Sequence, residues 1–181
     1  MSAGDIDDRL GPEGELDELR ADHPELDQYL KMAWQLKPVR TFFIPFGAGI
    51  SSTGLRVYVS NDIQAIINGI ECESALVRHE TTEWALREYC KIGEDYASDP
   101  RGHRLANRAE HDLVIHLIGI DGWERYSEII DPQVMIDERE DIEDKPIPGD
   151  LALYPYDDEM VTMLCDAMYN KRSEEEWSKL T

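Results

Sequence analysis

The sequence is poor in three things, and each shortage excludes something. It has only three cysteines, Cys72, Cys90 and Cys165, an odd number with no paired spacing. That argues against a disulfide framework and for a reducing cytosol as the compartment. Long apolar runs are absent: no stretch approaches the roughly 18 residues that a membrane-spanning helix needs. The acidic opening Met-Ser-Ala-Gly-Asp-Ile-Asp-Asp lacks the apolar run of a secretory leader, so neither a membrane segment nor a signal peptide is expected. Basic residues are scarce, with 18 Lys and Arg against 39 Asp and Glu and a formal net charge of −21. A protein that grips a phosphate backbone needs a basic face, so nucleic acid is not an expected partner. The glycine-rich stretch at 47–54 is followed by neither a lysine nor a helix signal. It reads as a flexible, hairpin-type connection rather than a phosphate-binding loop.

What is present is unevenly distributed. Residues 1–30 hold ten acids and two bases, and residues 131–181 hold fifteen acids and five bases. The stretch between them, 31–130, is nearly balanced, with fourteen acids and eleven bases. Hydrophobic residues at 41% suffice for one packed domain in a chain of 181 residues. The predicted organisation is an acidic disordered tail over 1–23, a folded domain over 24–130, and an acidic extension over 131–181 carrying one or two helices. Acidic flanks of this kind solubilise; a rarer use is to mimic the charge of nucleic acid and occupy a DNA-binding protein.

The apolar spacing of Leu26, Tyr29, Leu30, Ala33 and Trp34 predicts an amphipathic helix ended by Pro38. Residues 40–46 and 55–60 read as strands, and Asn68-Gly69 between apolar residues marks a hairpin. A small antiparallel sheet is therefore expected before residue 73. Two long helices follow. One runs from 73 or 74 to about 91, with Ser74 as N-cap and Gly93 as its stop. The other runs from Asp99-Pro100 to about 118, ended by Gly119. A short helix over 121–130, a further helix over 157–170 and a last one over 174–179 complete an α+β chain.

The chemical signal lies in the two long helices. His79 and Glu83 are four residues apart, which puts both side chains on one helical face. Two zinc ligands of a His-Glu-x-x-His motif sit at this spacing, with the intervening Glu beside them as general base. Here Glu83 stands where the second His would be, and a carboxylate oxygen is a competent zinc ligand. A third ligand must come from elsewhere, and His103 opens the next helix twenty positions later.

His79-Glu80-Thr-Thr-Glu83 followed by His103 resembles the gluzincin metallopeptidases, with the last two ligand types exchanged. The chain is also similar to small proteins of phages and mobile elements. These carry a strand pair, a His-Glu-x-x-Glu helix, a Tyr-to-His element (here Tyr96 to His103) and an Ala-Glu pair (Ala109-Glu110). The resemblance covers about residues 40–130 and implies a minimal zincin-like fold, with the sheet packed on an active-site helix pair. It implies that His79, Glu83 and His103 bind Zn²⁺ or another divalent metal, and that Glu80 takes a proton from a metal-bound water. The gluzincin likeness implies a zinc-dependent hydrolase, a metallopeptidase acting on a peptide or protein, while the likeness to the phage-type proteins carries no established substrate. Asn107 or Glu110 would orient a ligand from outside the coordination sphere, or Glu110 would itself be a ligand.

Other functions compete. His79 with His111-Asp112 matches the ligand types of metal-dependent phosphohydrolases of the His-Asp kind. Glu80, Glu83 and Glu110 could serve a di-iron carboxylate site only with more helices than the pattern supplies. A catalytically inactive, acidic interaction protein on the same scaffold is the non-enzymatic alternative. Trp84 and Trp123 read as core residues, and Arg101, Arg104 and Arg108 as surface partners for acids.

Overall fold

In the computed structural model the described residues are 9–41, 47–60, 66–67, 70–93, 99–130 and 150–152. Helices α1 (Glu15–Asp22) and α2 (Pro24–Ala33) come first. Strands β1 (Val39–Thr41), β2 (Ala48–Ile50), β3 (Val57–Ser60), β4 (Ile66–Ile67) and β5 (Ile70–Glu71) follow. Helices α3 (Glu73–Cys90), α4 (Arg101–Ile118) and α5 (Ile120–Ile130) close the order. The fold is α+β.

Helix α3 is the axis of the molecule, packing against β2 and β3, against α2 and against α4. Its apolar residues serve different neighbours. Ala75 and Leu76 join Ala48 and Val59 of the sheet and Val114 of α4. Ala85 and Leu86 join Leu26 and Leu30 of α2 and Leu105 of α4. Val77 meets Ile50 and Val57. Burying a leucine or valine in this way stabilises the fold by about 1.5–3 kcal/mol each. Helix α3 ends where Lys91 turns left-handed (φ 57°), its N–H bonding to Arg87 O and that of Ile92 to Leu86 O. The chain restarts at Asp99, whose carboxylate accepts the backbone N–H of Gly93 at 3.1 Å and of Arg101 at 3.2 Å. That single side chain ties the end of one long helix to the start of the next.

Three expectations are corrected. The sheet is mixed: β3 lies between β1, which runs parallel to it, and β2, which runs antiparallel. Residues 47–54 are more than a connection, because Ala48, Gly49 and Ile50 form β2 and pair with Val59, Tyr58 and Val57. Within the acidic stretch over 1–23, the described residues 9–23 are folded. Leu10 and Leu16 are buried, and Leu16 joins Leu26 and Leu30 in the core, so these apolar residues outweigh the acidic composition around them. Asn-Gly at 68–69 does separate an antiparallel pair, β4 and β5. Residues 157–170 and 174–179 lie outside the described residues, as do Tyr96 and Cys165.

Residues 150–152 return to the free edge of β2. Leu151 bridges Ser51, and the Ala152 N–H donates to Ile50 O at 2.7 Å. The Tyr58 hydroxyl, at 2.5 Å, and the Arg56 guanidinium hold Asp150 there.

Gly54 turns the chain between β2 and β3 with φ +70°, and a Cβ on it would lie 2.7 Å from the Trp84 ring. Its carbonyl also receives the Tyr29 hydroxyl at 2.5 Å. Gly54→Ala is therefore expected to destabilise the protein by more than about 1 kcal/mol, measured by denaturant unfolding. An unchanged midpoint would show that the turn relaxes freely.

Candidate metal centre

Helices α3 and α4 pack side by side, and α4 carries small residues, Ala106 and Ala109, both buried, between His103 and Glu110. Against this surface α3 presents His79, Glu80 and Glu83. The His79 Nε2 lies 3.3 Å from Glu83 Oε2, and the His103 Nδ1 lies 3.1 Å from the same oxygen. The two imidazoles meet edge to face with centroids 4.9 Å apart. One ligand atom from each of His79, Glu83 and His103 falls within 4.8 Å of the others, so the group could hold a metal ion. Tetrahedral zinc with N and O ligands at ~2.1 Å has ligand–ligand edges of about 3.4 Å, close to the two distances to Glu83. Two imidazoles and one carboxylate also match zinc better than the all-oxygen shells of calcium or magnesium.

Behind the group stands a second carboxylate. Glu110, 2% exposed, has one oxygen 2.8 Å from His79 Nδ1, while its other oxygen accepts the Tyr126 hydroxyl. An ionised carboxylate only accepts, so the proton between them sits on His79 Nδ1. Nε2 is then the nitrogen that faces Glu83. This is the arrangement by which a carboxylate fixes the tautomer of a metal-binding histidine. Because both its oxygens are committed, Glu110 stands behind His79 and not among the ligands.

Deep carboxylates need compensating donors, and the electrostatics follow the pairing. Burial alone would push the Glu83 carboxyl up, but the hydrogen bonds and charges of His103 and His79 hold it well below its ordinary range. Burial opposes the charge on His79, yet Glu110 and then Glu83 and Glu80 outweigh it and hold the imidazole well above 6.5. For Glu80 burial dominates: the charge of His79 opposes it, but burial, assisted by the charges of Glu83 and Glu110, pushes its carboxyl up to about 7. A carboxyl near neutrality beside a metal-ligand group suits a general base.

These shifts fix how the metal-free protein responds to pH. The stabilisation from charged His79 is complete below about pH 6.5 and is lost as pH rises through its raised value. Glu80 acts in the same direction, favouring the fold while protonated and losing that contribution between its free value of 4.5 and about 7. Glu83 acts oppositely, contributing above 4.5 and losing its contribution as pH falls through its depressed value. Chelator-treated protein is thus expected to melt highest near pH ~5 and lower at pH ~8, and His79→Gln should flatten the decline. Added zinc should stabilise more as pH rises, because ligands must shed protons to bind it. Melting curves across this range, with and without zinc, check both slopes.

Compared with protein families, with curated proteins and with solved structures, the chain matches none.

The structure separates the remaining sequence candidates. Asn107 is no neighbour of the ligands' hydrogen bonds: its amide donates to Arg9 O at 3.0 Å and fastens the N-terminal segment to α4. Arg104 and Arg108 do the same at Leu10 O and Gly11 O, and two of the three arginines also answer acids, Arg101 with Glu15 and Arg108 with Asp112 at 3.8 Å. His111 bonds its own neighbour Asp112 at 3.0 Å and packs against Trp123, and among the described residues the pair does not gather with His79. The di-iron arrangement fails because Glu110 is bound to His79 and Tyr126. Trp84 packs in the core, 4.9 Å from Tyr29 between ring centroids. Among the described residues no helix is long and apolar enough to cross a membrane. Tyr126 is the residue the sequence did not mark: at apolar spacing beside Trp123 it is indistinguishable from an ordinary core tyrosine.

Proposed function

We propose that the chain is a zinc-dependent hydrolase, a zincin-like metallopeptidase whose substrate is a peptide or protein. The observation that carries this is the meeting of His79, Glu83 and His103 from two packed helices, with Glu80 next to them on α3. Zinc, when bound, supplies Lewis acidity and makes water a stronger acid. His79 and His103 would hold it through the nitrogens that face Glu83, and Glu83 through the oxygen both already approach. Glu80 receives a proton at its carboxylate and returns it to the leaving amine, a role served by a carboxyl lifted to about 7. Glu83, held well below its ordinary range by His103 and His79, cannot take that role without leaving the ligand set, and both oxygens of Glu110 are committed to His79 and Tyr126.

Cleavage of a peptide library by zinc-loaded protein, abolished by chelator and by Glu80→Gln, is the test. One observation favours a second function: the acidity belongs to residues 1–30 and 131–181 and not to the stretch between them, which holds the site. If the zinc-loaded protein cleaves no peptide, an acidic interaction protein on this scaffold is the better description.

A further inference from the structure

The buried chain of hydrogen bonds behind His79 starts on a third helix. Tyr126 of α5 is fully buried, and its ring sits among Val59, Cys72 and Val114. Its hydroxyl donates to Glu110 Oε1, and Glu110 Oε2 receives the His79 Nδ1 proton at 2.8 Å. We propose that Tyr126 is a positioning residue of the metal centre, acting through Glu110 to hold the His79 imidazole with Nε2 aimed at the ion; this rests on the metal site proposed above.

The geometry assigns this role because the carboxylate has no freedom left. Two donors from opposite sides, one on α3 and one on α5, fix its rotation about the side-chain axis. With the Tyr126 hydroxyl removed, Oε1 is a buried acceptor without that donor, and the carboxylate turns to find another. The imidazole, tied to it at Nδ1, turns with it. A coordinating nitrogen must point its lone pair at the metal, so a rotated ring binds worse although every ligand is still present. The same chain makes α5 part of the site, although it contributes no ligand.

Tyr126→Phe keeps the ring and deletes only the hydroxyl. Zinc affinity, measured by competition with a chromophoric chelator, should fall by about 10-fold, and by about 10–100-fold in Glu110→Gln. Tyr126→Phe should cost almost nothing further in the Glu110→Gln background, because the route to His79 is already cut. A purely structural tyrosine would lower the melting temperature of both metal-free and zinc-loaded protein and leave the affinity unchanged. Wild-type zinc binding with unaltered affinity in Tyr126→Phe overturns the proposal while leaving the metal site standing; a wild-type protein that binds no zinc removes both. If Tyr126→Phe does not fold, the unsubstituted protein still decides. A slowly exchanging Tyr126 hydroxyl proton whose NMR shift moves when zinc is added supports the coupling, and one indifferent to bound zinc refutes it.

Discussion

Alanine at His79, Glu83 or His103 is expected to reduce bound zinc from one equivalent per chain to less than about a tenth, with affinity down by more than ~100-fold, beyond the 10–100-fold typical of outer partners. The reason lies in the donor count. Three side chains from α3 and α4 converge, with both histidine nitrogens near one Glu83 oxygen at 3.3 and 3.1 Å. Losing any one leaves two, too few for the closed ligand sets that hold zinc tightly. The same variants should lose metal-dependent stabilisation. With zinc at about 100 times its dissociation constant, the unsubstituted protein gains about 2.7 kcal/mol, and the variants should gain almost none. Circular dichroism of the metal-free variants separates lost binding from lost folding, since Glu83 itself is 5% exposed and relies on both imidazoles as partners. Metal analysis after zinc incubation is the deciding measurement. A metal-free product, or alanine variants that load zinc like their parent, would remove the site.

Glu80→Gln should do the reverse: zinc content unchanged and kcat/KM down by roughly 10²–10⁴-fold, the usual contribution of a positioned general base. Glu80 follows His79 directly on α3 but is not one of the three residues that converge on a shared position. Its carboxyl, raised to about 7 by burial among neighbouring acids, is available to exchange a proton near neutral pH. Glutamine keeps the shape and removes that capacity. Intact metal binding with abolished cleavage would place Glu80 as the base. Undiminished cleavage would move the base elsewhere, and a parent protein with no cleavage at all would leave a metal-binding scaffold with another purpose.

Helices α2 to α5 were legible because their signals are local. Leu26, Tyr29, Leu30 and Ala33 follow the helical period and are all buried, and glycines at 93 and 119 follow the ends of α3 and α4. The pairing of His79 with Glu83 was legible for the same reason, since residues at i,i+4 share a face whatever surrounds them. The sheet was less so. A parallel pairing such as β1 with β3 joins strands separated by β2, and nothing in either strand announces its partner. The N-terminal segment misled because composition averages over residues, whereas two leucines, Leu10 and Leu16, sufficed to bury it.

The sequence by itself determined that an imidazole and two carboxylates would stand on one helix, with another imidazole twenty positions on, since helical geometry follows from spacing alone. Only the tertiary structure decided what each would touch. It set His103 against Glu83, took Asn107 away to the N-terminal segment, made Glu110 the partner of His79, and brought in Tyr126 from α5. Those contacts join residues 16 to 98 positions apart. They depend on how helices pack and rotate against each other, which is settled by the whole core and by no local pattern.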